Sequence, residues 1–227
     1  FDKIFIYTDE NVTKSSIEKI ITNDLYKNSG ENDLIVFSFH GHGYSIDFDN
    51  FTEGFLVPYD ASLDPTPFEL ISMNNLSKWF KYIRSRHILL LLDCCFSGLS
   101  VLRGAKKKVK KFISNNTIEI SNNTIEILDN SLDNLEIRNN TLFKHLQSSS
   151  RIIINAGTNT DMVLDGGWNK NSVFTGAIIS SPTFNNNIGS VFNLYYYLLK
   201  TISRYSNQSP SIGKMEGDMG TDIFLSI

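Results

Sequence analysis

The chain has 227 residues, 41% hydrophobic and 20% charged, with a formal net charge of -3. This is an ordinary globular composition, and it excludes wholesale disorder, a collagen-like repeat and a disulfide-stapled miniprotein. The slightly acidic balance, with a pI near 5.8, gives no reason to expect a nucleic-acid partner.

In chain order, Lys3–Tyr7 reads as a short apolar strand, and Asp9–Leu25 as a helix with Ile17, Ile20, Ile21 and Leu25 at helical spacing. Asp33–His40 is a strand whose apolar run is nearly continuous, as expected when both sheet faces are covered. A long loop rich in Asp, Pro and Gly is expected from Gly41 to Ser72. The helix Met73–Ile83 carries Leu76, Trp79, Phe80 and Ile83 on one face. His87–Asp93 is the most strongly apolar strand. Its run Ile88–Leu92 is far short of the ~20 residues of a membrane helix. No basic region followed by an apolar one marks a signal peptide.

Ser114–Gln147 breaks the rhythm. The hexapeptide NNTIEI occurs at Asn115–Ile120 and again at Asn122–Ile127, with a looser echo at Asn139–Leu142. Two copies do not make a solenoid. The segment reads either as a surface insertion or as a small hairpin docked on the domain. Regular elements resume with the strand Arg151–Ala156, helices Val173–Ser180 and Val191–Tyr205, and a final strand Asp222–Ile227. This strand–helix alternation predicts an α/β fold with a mostly parallel sheet covered by helices.

In such a sheet, ligands bind beyond the carboxyl ends of the strands. One strand runs into His40-Gly41-His42-Gly43, another into Asp93-Cys94-Cys95-Phe96-Ser97-Gly98. A Cys and a His at neighbouring strand ends can form a nucleophile–base pair, the imidazole taking the thiol proton and the thiolate attacking a carbonyl. The backbone N–H groups of Gly43 and Cys95 are candidates to face the developing oxyanion. Cys94 and Cys95 are adjacent and so poorly placed to bridge each other, which favours a reducing, cytoplasmic setting. In an extended segment they point to opposite faces, so only one can enter a given cleft. A zinc site of His40, His42, Cys94 and Cys95 is a minor alternative, because adjacent cysteines do not easily converge on one ion.

The two motifs resemble those of the caspase-like cysteine peptidases of clan CD, metacaspases and orthocaspases in particular. Cys95 follows His42 by 53 residues, close to the family spacing. Leu25–Gly43 is similar to the segment leading to the family's S-G-H-G, Ser172-Val173-Phe174-Thr175 to its S-V-F-T, and Gln208-Ser209-Pro210 to its Q-x-P. The resemblance spans nearly the whole chain except Ser114–Gln147. It implies one caspase-like domain over 1–227, a mostly parallel sheet sandwiched by helices. Residues 1–105 would be large-subunit-like, 106–150 a basic linker with the Asn-rich insertion, and 151–227 small-subunit-like.

The same resemblance implies a cysteine endopeptidase with Cys95 as nucleophile and His42 as base, Cys94 being an inert buried thiol. It also implies that Asp93 binds a basic Arg or Lys side chain before the scissile bond. The bare residue reading leaves Asp93 as either a pocket carboxylate or an N-cap. His40, where the family usually has Ser, either lines that pocket or packs beside it. A catalytically silent caspase-fold binding or assembly module is the competing reading.

Relative to the family, the sequence lacks the first strand. An upstream N-terminal segment or regulatory domain is expected to complete the sheet. No cofactor is required, although the acidic residues Asp47, Asp49, Glu53 and Asp60 have the oxygen ligands calcium prefers. Leu102 stands where calcium-dependent relatives tend to have Asp. The basic run at Arg103, Lys106, Lys107, Lys108, Lys110 and Lys111 follows the nucleophile segment. The run is either an uncut, solvated linker or, for an enzyme cutting after basic residues, a self-processing site, in which case the chain would be a zymogen.

Overall fold

The computed structural model describes residues 2–94, 143–157, 168, 170–184 and 189–225. The first helix, α1 (Lys14–Lys19), starts where the Thr13 side chain accepts a hydrogen bond from the Ser16 N–H. It continues through a π-helical stretch, Ile20–Leu25, to Tyr26–Asn28. Asp9–Asn11, expected to open this helix, is instead a separate 3-10 turn.

The central sheet has four strands in the order β1 (Leu34–His40), β5 (His87–Asp93), β6 (Ser150–Asn155) and β8 (Ser211–Lys214). The first three are parallel, and β8 runs antiparallel to β6. The chain is thus α/β with a mixed, mostly parallel sheet. Strand β8 is absent from the sequence expectation because Ser-Ile-Gly-Lys has neither length nor alternation to announce it.

Helices cover both faces. On one, Ile17 and Ile21 pack with Leu76 and Phe80 of α2 (Met73–Lys81) against Ile35, Phe39, Ile88, Leu90, Leu92 and Ile153. On the other, Phe174 and Ala177 of α3 (Val173–Ile179) and Leu194 and Leu198 of α4 (Val191–Ile202) pack against Leu89, Leu91, Ile152 and Ile154. Each fully buried Leu, Ile or Phe stabilises the fold by roughly 1.5–3 kcal/mol of transfer free energy. The alternation puts Cys94 in the first cluster, fully buried.

Arg151 ties the two halves together. Its guanidinium donates to the carbonyls of Phe80 at the end of α2 and of Ile83 (2.8 Å) and Ser85 (3.3 Å) in the turn after it.

Three expectations are corrected. Lys3–Tyr7 is not a strand: it has no ladder partner among the described residues, and Ile4, Phe5 and Ile6 are 71%, 69% and 81% exposed. An apolar pentapeptide becomes a strand only where another backbone meets its N–H and C=O groups. Gly41–Ser72 is not one loop. It holds the hairpin β2 (Gly43–Phe48) and β3 (Phe51–Leu56), joined to β4 (Ile71–Ser72) in a small antiparallel sheet. Phe48 and Phe51 stack across its turn with ring centroids 4.8 Å apart, a cross-strand contact the Asp- and Gly-rich composition conceals. Finally, Asp222–Ile227 supplies only β9 (Phe224–Leu225), which pairs with β7 (Gly189–Ser190) outside the central sheet. The NNTIEI repeats lie outside the described residues; residues 143–147 are helical.

Candidate active site

Strands β1 and β5 end together. Their parallel register sets His40 opposite Asp93, and the Gly41 N–H donates to the Asp93 carbonyl at 3.4 Å. His40 and Asp93 project to the face that carries α3. Cys94 projects to the other, so the described members of the four-residue zinc alternative do not converge.

Asp93 is the centre of a polar cluster. It is buried, 6% exposed, yet three donors reach a single oxygen, Oδ2. They are His40 Nδ1 at 3.3 Å, the Thr175 hydroxyl at 2.6 Å and the Ser172 hydroxyl. Oδ1 is buried without a hydrogen-bond partner among the described residues. Burial works to raise the Asp93 pKa, but the hydrogen bonds from His40, Ser172 and Thr175 outweigh it and hold the carboxyl below its ordinary value. The group is therefore an anion.

The partners are fixed by local structure. Ser172 caps α3, accepting from the Thr175 N–H at 3.0 Å while its own hydroxyl proton points to Asp93. Thr175 lies one turn along. His40 is held from its far side by Ser38, whose hydroxyl lies 2.8 Å from Nε2, and its Nδ1 is also 3.2 Å from Thr175 Oγ1. Ser38 and His40 share a face of β1 because they are two residues apart.

Of the residues expected from sequence, the structure brings His40 and Asp93 into contact. The side chains that hold the Asp93 carboxylate come from β1 and the start of α3, and the turn that Asp93 would cap lies outside the described residues. His42 follows the end of β1 and is exposed; its carbonyl accepts from Val57 N–H at 3.0 Å, and its ring has no hydrogen bond among the described residues. Gly43 opens β2 opposite Leu56. Cys95 and the basic run from Arg103 to Lys111 lie outside the described residues. Gln208 is buried just before β8.

Sequence reasoning passed over Ser38, Ser172 and Thr175 as site residues. Ser172, a serine immediately before an apolar helical stretch, carries the sequence signal of a helix cap. Which carboxylate that cap would meet is a matter of tertiary packing.

The acidic residues of the hairpin region are engaged separately. Asp47 accepts from Thr52, Glu53 from Asn74 and Asp60 from the Lys14 N–H. Among the described residues no group of three or more His, Cys, Asp or Glu side chains is gathered as for a metal ion. Nor does any described helix have the length and apolarity to cross a membrane.

No family model matches the sequence, and no curated protein matches it. The fold is similar to the crystal structure of protein GSU0716 from Geobacter sulfurreducens, with a TM-score of 0.53 and 16% identity over 90% of this chain and 74% of that one. At this identity the likeness concerns the fold alone.

Proposed function

We propose that the chain is a cysteine endopeptidase of the caspase-like kind, with Cys95 as nucleophile and His42 as base, cleaving after basic residues. The observation that carries this reading is the register of His40 opposite Asp93. The chain leaves both strands at the same end of the sheet, and His42 and Cys95 each follow by two residues in sequence. This is where a sheet of this type binds ligands. The buried anion Asp93, two residues before Cys95, is the group a basic substrate side chain would seek.

In the reaction, His42 takes the Cys95 proton and the thiolate adds to the substrate carbonyl. The oxyanion is held by backbone N–H groups, of which Gly43 and Cys95 are the candidates. Collapse expels the amine, protonated by His42, and leaves a thioester. Water then attacks the thioester with His42 as base, releasing the acid and the free thiol.

The test is turnover of fluorogenic peptides ending in Arg, Lys or Asp. Wild type should cleave after the basic residues, and Cys95→Ala and His42→Ala should each lose at least about a thousandfold. Cleavage after Asp would reject the pocket assignment. No turnover with any peptide would favour the catalytically silent binding module.

The partner reading follows from β1. Its outer edge pairs with no described strand, although its side chains are apolar on both faces. Such an edge invites another strand. We assign it to an upstream segment of the same protein. Hydrogen exchange at Ile35, Phe37 and Phe39 should slow in a longer chain that includes that segment; equal rates in both chains would count against it.

A further inference from the structure

The carboxylate of Asp93 is occupied on one side only. All three side-chain donors go to Oδ2, while Oδ1 is buried and unpartnered. The direction of the network explains the asymmetry. His40 Nε2 lies 2.8 Å from the Ser38 hydroxyl, and Nδ1 lies within reach of both Asp93 Oδ2, at 3.3 Å, and Thr175 Oγ1, at 3.2 Å. The Thr175 and Ser172 hydroxyl protons then both fall on Oδ2, because Ser172 Oγ already accepts from the Thr175 N–H. Three donors therefore meet one oxygen of the carboxylate.

An ionised oxygen buried without a donor is costly, and it defines what is missing. A guanidinium binds a carboxylate best through two parallel N–H groups, one to each oxygen. Here Oδ2, with two lone pairs, already faces three donors. An ammonium is a compact point charge and needs only one oxygen. The His40 side chain is 54% exposed beside the 5% exposed Asp93.

We infer that the Asp93 pocket is one-armed: His40, Thr175 and Ser172 together block Oδ2, so the site takes the ammonium of lysine in preference to the guanidinium of arginine. This deepens, and rests on, the reading of Asp93 as the pocket for a basic substrate side chain. His40 is a specificity-determining residue and touches neither thiol nor scissile carbonyl in this account.

The experiment separates binding from turnover. Cys95→Ala protein is titrated, with NMR detection, with two acetylated tetrapeptides identical except for a C-terminal lysine or arginine. The lysine peptide should bind about tenfold more tightly. Asp93→Asn should abolish binding of both. His40→Ser and, separately, Thr175→Val should bring the two affinities to within about threefold by freeing Oδ2. The lysine-to-arginine ratio is read within one preparation, so partial unfolding of a variant does not move it. Equal or tighter arginine binding, no binding of either peptide, or a ratio unchanged in both variants would overturn the inference. Lysine-selective binding without turnover in wild type would leave the pocket standing and reject the peptidase. Turnover that favours arginine would do the reverse.

Discussion

His40 stands opposite Asp93 across the β1–β5 ladder, with Nδ1 3.3 Å from Oδ2. The contact joins a half-exposed imidazole to a buried carboxylate at the end of the sheet where the chain departs toward both candidate catalytic residues. It follows from two strands of equal length ending in step. A one-residue slip of either strand would turn one of the two side chains to the opposite face.

The Asp93 carboxyl should remain ionised below the usual carboxylate range, because its pKa is lowered in the folded protein. The sign follows from linkage. A depressed folded-state pKa contributes stability that is fully present above the unfolded value, near 3.9 or so, and is lost as pH falls through the folded value. Urea titrations of wild type and Asp93→Asn between pH 3 and 7 are the check. The stability advantage of wild type should shrink as the medium turns acid. A difference independent of pH would contradict the assignment.

Cys94→Ala should cost roughly 1 kcal/mol of stability and retain most activity, because the thiol is a small hydrophobe in the cluster of Leu92, Ile153 and Phe80. Paired denaturation and turnover measurements on Cys94→Ala and Cys95→Ala test this. If Cys94→Ala were the inactive one, the nucleophile would be misassigned.

Arg151→Ala should destabilise the fold by about 2–4 kcal/mol. It removes a buried guanidinium that donates to the Phe80, Ile83 and Ser85 carbonyls, and leaves buried acceptors unmet. Arg151→Lys should recover only part of this, since one ammonium cannot reproduce the planar fork. Thermal denaturation of the three proteins gives the order. A wild-type Tm in Arg151→Ala would refute it.

If the enzyme cuts after basic residues, the run from Arg103 to Lys111 offers sites in its own chain. Intact-mass spectrometry of wild type beside Cys95→Ala should show fragments divided within that run only in wild type. Identical single masses in both would remove self-processing and leave the peptidase proposal intact.

The Glu69 carboxyl, which accepts from the Thr66 N–H, the Thr66 hydroxyl and the Ser62 N–H, is drawn from 4.5 down to about 2. The turn it closes should hold until the pH falls from about 4.5 toward 2. An NMR titration of the Glu69 side chain checks this; an ordinary midpoint would mean the turn is open in solution.

The sequence alone determined the elements with strong, regular patterns. His87–Asp93 and Val173–Ile179 were legible because a continuous apolar run and a helical stripe are each written in consecutive side chains. The motifs at His40–Gly43 and Asp93–Gly98 stood out as candidate chemistry, of which the structure shows His40 and Asp93 meeting at the strand ends. Tertiary structure decided what depended on a second backbone. Lys3–Tyr7 has strand-like residues but no strand beside it, whereas Ser211–Lys214 has weak ones and pairs with β6. It also decided the partners of Asp93. Nothing in the residues around position 93 reveals that hydroxyls from Ser172 and Thr175 will crowd one carboxylate oxygen and leave the other bare. That asymmetry arises only when the N-terminus of α3 packs against the ends of β1 and β5, because hydrogen-bond direction is set by where whole elements meet.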